Sequence, residues 1–204
     1  MKILRLVTSF RGNDSQSFQL GNTVVEMIKA QYENADIITR NLARNEMPHF
    51  NDVHFTSFIT PVENLSDELK NAVSHSDKAV KELIDSDIIV IDVPMYNFSI
   101  PSSLKAWIDH IVRAGVTFRY TENGVEGLVQ NKKVYLAIAS GGIYSEGPMK
   151  EYDLTEKYIK NILGFIGITD VTVFRVEGVA IPDIKESAMS KAVQAVENTF
   201  SLQH

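Results

Sequence analysis

Three short stretches carry residue types and spacings that could do chemistry. The first is Ser9 to Ser17, with hydroxyls at Ser9, Ser15 and Ser17 and an amide at Gln16. Free N–H groups at a helix start, the helix dipole and added hydroxyls together hold an anion such as a phosphate. Capping alone would also explain serines there. The second is Pro94-Met95-Tyr96-Asn97-Phe98-Ser99-Ile100-Pro101. A proline at each end stiffens it, and it offers backbone groups, one Asn and aromatic faces. A flat heteroaromatic ring needs apolar faces for stacking and edge hydrogen bonds in fixed directions. The plainer reading is a strand-to-helix connection with buried aromatics. The third is Ser140-Gly141-Gly142-Ile143-Tyr144, running on to Gly147-Pro148. Glycines there let backbone approach a ligand closely, or simply make a turn.

The elements around these stretches alternate. Ile3 to Val7, Asp36 to Thr39, Asp87 to Val93, Val134 to Ala139 and Val171 to Val176 read as strands. Apolar spacing predicts helices over Ser17 to Tyr32, Ser66 to Ser86, Pro101 to Arg113, Asp153 to Phe165 and Lys185 to Phe200. Asn41 to Thr60 and Gly115 to Gln130 read as long loops. The run Ile88-Ile89-Val90-Ile91 suits a strand buried on both faces of a parallel sheet. Strand–helix alternation implies right-handed crossovers and a three-layer α/β sandwich. Five strands favour the flavodoxin-like order 2-1-3-4-5, in one domain over 1–204. In such a sheet ligands bind beyond the carboxyl ends of the strands, where all three stretches converge.

Composition excludes much else. The chain has 204 residues, 44% hydrophobic and 23% charged, as in ordinary globular domains. Its 20 Lys and Arg face 26 Asp and Glu, a net charge of −6 with no basic run, which argues against nucleic acid as a partner. Absence of cysteine removes disulfides, thiolate metal sites and a catalytic thiol. Neither a signal peptide nor an 18-residue apolar span is legible, so the expectation is a cytoplasmic protein without a membrane partner. The Walker loop, the G-x-G-x-x-G fingerprint, the G-x-S-x-G elbow and H-E-x-x-H are all missing. Histidines 49, 54, 75, 110 and 204 lack metal-ligand spacing, so no metal is expected. His110 reads as a surface or packing residue and Trp107 as core. Asp92 at a strand end would suit a phospho-acceptor, but Val7-Thr8-Ser9 replaces the acidic pair that chemistry needs.

Read together, the segments resemble the FMN-dependent NADH-azoreductase family, which has a flavodoxin-like fold and also reduces quinones. The resemblance spans essentially the whole chain. It is carried by Pro94-Met95-Tyr96-Asn97-Phe98 with Ile100-Pro101, by Leu104-Lys105-Ala106-Trp107-Ile108-Asp109, and by Gly115-Val116-Thr117-Phe118-Arg119-Tyr120-Thr121 with Gly124 and Gly127-Leu128. It implies that Ser9, Ser15, Gln16 and Ser17 hold the FMN phosphate. Pro94, Met95, Tyr96, Asn97 and Phe98 would border the isoalloxazine ring, with Asn97 near its reactive nitrogen. Ser140, Gly141 and Gly142 would meet the pyrimidine edge, with Tyr144 nearby. The resemblance further implies a homodimer with flavin sites at the subunit interface, where Phe118, Tyr120 and Phe165 are candidates to line the acceptor pocket, some from the second subunit. Some relatives carry Arg where this chain has Ser140. The implied reaction is ping-pong two-electron hydride transfer from NADH or NADPH through FMN to quinones or aromatic azo compounds. No acid or base side chain is then required, because the cofactor carries the chemistry. The alternative on the same fold is a non-catalytic electron carrier or flavin-binding sensor.

Overall fold

A computed structural model describes residues 1–202. Five parallel strands form the central sheet in the order β2-β1-β3-β6-β7. They are β1 (Lys2–Val7), β2 (Asp36–Asn41), β3 (Ile88–Pro94), β6 (Lys133–Ala139) and β7 (Asp170–Val176). These are the five strands expected, in the expected order; the numbering differs because a hairpin intervenes. All seven residues of β3 are buried, as its β-branched run requires. Its side chains alternate between two cores. Ile88 and Val90 join α1 (Gln16–Gln31) and α6 (Pro182–Ser201) on one face. Ile89 and Ile91 join α3 (Asp67–Asp85), α4 (Ser102–Ile111) and α5 (Leu154–Phe165) on the other. Trp107 is core, as expected, at 1% exposure.

Two segments read as loops are ordered elements. Within 41–60 lies α2 (Asp52–Ile59), capped by Asn51, whose side chain accepts the His54 N–H at 3.2 Å. Within 115–130 lies an antiparallel hairpin, β4 (Phe118–Thr121) with β5 (Gly124–Gly127). Pro101 precedes α4 at its N-cap rather than occupying its first turn.

Gly21 of α1 marks the closest approach of that helix to the sheet. A Cβ there would lie 1.9 Å from Asp92 Oδ1, so only glycine lets α1 settle over β3.

Candidate active site

At the carboxyl end of β1 the chain turns into α1. Ser15 is the N-cap, its Oγ accepting from Phe18 N–H at 3.4 Å and lying 3.0 Å from Ser17 Oγ. The N–H groups of Gln16 and Ser17 have no acceptor among the described residues. A 16-residue helix therefore points two free donors and its positive end at this corner.

The end of β3 makes the second wall. Tyr96 and Ser99 exchange N–H···O bonds of 2.9 and 3.0 Å across a two-residue turn. Its central residues, Asn97 at φ +48° and Phe98 at φ +68°, are both left-handed. Asn tolerates this region; for Phe it is uncommon and strained. The geometry turns the Asn97 and Phe98 N–H groups out of the ladder, and neither has an acceptor among the described residues. Tyr96 Oη is buried without a partner.

The third wall follows β6. The carbonyls of Ser140, Gly141 and Gly142 accept from the N–H groups of Val179, Ala180 and Gly178 at 3.4, 3.0 and 3.1 Å. Ser140 Oγ donates to the Gly142 carbonyl at 2.9 Å. The Gly141 and Gly142 N–H groups are left without acceptors among the described residues.

One cavity of about 230 Å³ touches all three walls through Ser9, Ser15, Gln16, Pro94 to Tyr96, Ser140 and Gly141. A second of about 850 Å³ opens beside it, sharing Met95 and Tyr96 and adding Asn97, Phe10, Lys105 and Tyr158. Burial raises the Tyr158 phenol above its ordinary pKa. Ser17 is fully buried and reaches the small cavity only through Ser15. Phe98 and Tyr144 meet edge to face at 6.1 Å, but neither they nor Gly142 line these two cavities. Phe118, Tyr120 and Phe165 line neither cavity. They form their own cluster, with Phe118 4.7 Å from Phe165 and 5.5 Å from Tyr120.

Sequence reasoning missed Arg11 and Val179 in the small cavity and Phe10, Lys105 and Tyr158 in the large one. It also missed the partner of Asp92. Arg5 donates to Asp92 Oδ2 from Nε at 3.1 Å and Nη2 at 2.8 Å, and to the Phe18 carbonyl at 3.0 Å. Burial raises the Asp92 pKa to about 7 against the opposing pull of Arg5. Two opposite charges inside otherwise apolar neighbouring strands were the available signal, since a buried charge needs a partner. Asp92 thus anchors α1 and takes no part in a phospho-acceptor arrangement. His54 and His110 pack edge to face at 4.8 Å, and His110 Nε2 bonds to the Pro48 carbonyl at 2.9 Å. Burial lowers the pKa of both rings, so they are packing groups away from either cavity. No metal-competent cluster occurs among the described residues, and His204 lies outside them.

Comparison with known proteins agrees with this architecture. A family profile described as a flavodoxin-like fold matches residues 1–200. The FMN-dependent NADH:quinone oxidoreductase of Herminiimonas arsenicoxydans is 44% identical over 200 residues, covering 98% of this chain and 97% of that one. Its counterpart from Beijerinckia indica subsp. indica is 42% identical over 195 residues, covering 96% of each. Among solved structures, an azoreductase from Bacillus anthracis str. Sterne superposes with a TM-score of 0.91 at 28% identity, over 98% of each chain. An FMN-dependent NADH-azoreductase from Bacillus anthracis str. Ames Ancestor, in complex with FMN, gives 0.88 at 25% identity, over 99% of this chain and 98% of that one. With its three converging loops, its parallel sheet and relatives matched from end to end, the chain belongs to the FMN-dependent NADH:quinone oxidoreductase family of the flavodoxin-like fold.

Proposed function

We propose that this chain, acting as one domain over 1–204, is an FMN-dependent NADH:quinone oxidoreductase that also reduces azo compounds. The observation that carries the reading is the set of unpaired backbone N–H groups on three walls of one cleft. Gln16 and Ser17 supply donors to an anion at the α1 N-terminus, Asn97 and Phe98 on one side, and Gly141 and Gly142 on the other. Those donors fit a phosphate, the reactive edge and the pyrimidine edge of a flavin, and no cationic side chain is needed for the ring.

FMN, when bound, supplies the two-electron chemistry by accepting hydride from NADH and passing it to a quinone or azo compound. This chain's residues do the rest. Ser9, Ser15 and Gln16 would hold the phosphate, with Ser17 holding Ser15 in place. The stiff 94–101 segment fixes the ring's orientation, so that Met95 and Tyr96 form the common wall of both cavities. The larger cavity takes donor and acceptor in turn, which is why no separate nicotinamide fingerprint is present. Orientation is the main contribution such a site makes to rate.

A homodimer belongs to the same reading. The β4–β5 hairpin follows α4 and precedes β6, so it lies at the amino end of the sheet, away from the carboxyl ends that form the cleft. Tyr120, 74% exposed there, can border a cleft only in a second copy. A cytoplasmic location also belongs to it, because the electron donor is a soluble dinucleotide.

The test is the visible spectrum of protein incubated with FMN and desalted, then given NADH without oxygen. We expect retained flavin that bleaches directly to its two-electron reduced form and recovers its colour on adding a quinone. Retained flavin inert to NADH would move the function to an electron carrier or sensor. No retained flavin at micromolar protein would remove the cofactor assignment.

A further inference from the structure

One chain of ion pairs and hydrogen bonds joins the two loops that face each other across the cleft. Glu177, the residue after β7, accepts the N–H groups of Tyr144 at 2.8 Å and Ser145 at 2.9 Å on Oε1, and the Ser145 hydroxyl on Oε2. Arg175, within β7, donates to Glu177 at 3.4 Å and also to Asp153 and Glu156. Asp153 caps α5, accepting from the Thr155 and Glu156 N–H groups at 2.9 and 3.1 Å. The next N–H, that of Leu154, donates to the Phe98 carbonyl at 3.1 Å. The route runs from the 140–145 loop through Glu177, Arg175, Asp153 and Leu154 to the 96–99 turn.

These side chains are withdrawn from water, with Asp153 9% and Arg175 and Glu177 13% exposed. Burial works against the Arg175 charge, but its bonds to Glu156 and Asp153 outweigh it and hold the guanidinium protonated. Charge-assisted bonds in such a setting are short and directional. The ion pairs that join α5 to Arg175 of β7 come from Asp153 and Glu156. Glu177 adds nothing to that contact; all its other bonds go to the loop. With Lys160 paired to Glu156 at 2.6 Å, the cluster holds two cations and three carboxylates. It brings no net positive charge to the cleft, so its effect there is positional.

Resting on the FMN reading, we infer that Glu177 and Arg175 are positioning residues for the flavin. They hold the two loops at a fixed separation and keep the Gly141 and Gly142 N–H groups aimed at the flavin's pyrimidine edge. Reduction adds negative charge to that edge, so aligned donors favour the reduced cofactor over the oxidised one. Backbone held from behind thus does what an Arg at position 140 would do by charge.

The experiment titrates apoprotein with FMN and measures the midpoint potential of the bound flavin in wild type, Glu177→Ala, Glu177→Gln and Arg175→Lys. Glu177→Ala is expected to weaken oxidised FMN about tenfold and reduced FMN about a hundredfold. The additional tenfold corresponds to a midpoint about 30 mV more negative. Glu177→Gln keeps an amide oxygen for the Tyr144 and Ser145 N–H groups and should restore both quantities to within about threefold. Arg175→Lys keeps the charge but cannot bridge Asp153 and Glu177, and should shift the potential in the same direction by less. Glu177→Ala with a lower melting temperature but unchanged FMN affinity and potential would overturn the inference. If that variant does not fold, an unchanged potential in Arg175→Lys would overturn it. Wild type that retains no FMN would remove the cofactor reading and this inference together.

Discussion

Asp92 and Arg5 meet on the face of the sheet that α1 covers, with Asp92 fully buried and its Oδ1 lacking a hydrogen-bond partner. That carboxyl has an ordinary pKa of 3.8, and burial lifts it to about 7 in the fold. The native state therefore holds a proton between those values that the unfolded chain releases. Stability contributed by this group is complete below the lower value and is lost as pH rises through about 7. Thermal unfolding between pH 6 and 8 should show wild type losing up to about 1 kcal/mol per pH unit through this group, or about 2–4 °C for a chain this long. The buried His54 and His110, with pKa values lowered by burial, act in the opposite sense, destabilising the fold as pH falls below the ordinary imidazole value. The clean measurement is therefore the difference from Asp92→Asn, which keeps both histidines. Parallel slopes in the two proteins would mean that Arg5 keeps Asp92 ionised throughout.

At the scale of elements, α1 has two separable duties, and Ser15 performs both readings of its position. It caps the helix, and it stands in the small cavity where a phosphate would sit. Ser15→Asp separates them. Aspartate is as good a cap as serine, so the melting temperature should stay within about 2 °C of wild type, on the small free-energy differences among good caps. A carboxylate facing a phosphate, however, should weaken FMN binding by about a hundredfold or more, as like charges at contact repel by several kcal/mol. Titration of the apoprotein measures this directly, and unchanged affinity would leave Ser15 a cap and nothing more. The same scale shows what the sequence discloses. The buried strands and long amphipathic helices are legible because their apolar periods are long. So are the three cleft segments, because hydroxyls, prolines and glycines stand at strand ends. Helix α2 was obscured by Pro48 and Asn51, although Asn51 is its cap and Phe55, Phe58 and Ile59 keep helical spacing. The hairpin carried an Asn123-Gly124 turn signal, but only Phe118 of its first strand is buried, so its pattern is weak. The Arg175–Glu177–Asp153 route was not legible at all. Its bonded pairs lie from 2 residues apart, Arg175 with Glu177, to 33 apart, Tyr144 with Glu177, and further still for Leu154 with Phe98, and only the fold brings β7, the 140–145 loop and the α5 cap together.

For the molecule as a whole, the unusual feature is where its apolar surface lies. Phe55, Ile59 and Val62 stand out around the end of α2, at 56%, 66% and 78% exposure, while Tyr120 and Val125 stand out on the hairpin. Arg113 lies over the Phe58 ring at 4.7 Å, tying α2 to the chain that leads into the hairpin. The two exposed groups thus sit on linked elements, whereas scattered single residues would need no explanation. Burying them in a symmetric contact would remove several large side chains from water on each copy, at about 25 cal/mol per Å². It would also carry Tyr120, which lines neither cavity of its own chain, toward the cleft of the second copy. Phe55→Glu combined with Ile59→Glu should therefore convert a dimer into a monomer in sedimentation velocity, with the fold intact by circular dichroism. The monomer should keep the α1 corner and both loops, and so still bind FMN, but reduce quinones at least tenfold more slowly for lack of its second wall. Tyr120→Ala should remain dimeric and raise KM for the acceptor more than it lowers kcat, because it removes contact with substrate while leaving the flavin held. A wild type that sediments as a monomer would separate the two arguments. The cleft would stand complete in one chain, and the exposed α2 and hairpin residues would need another purpose.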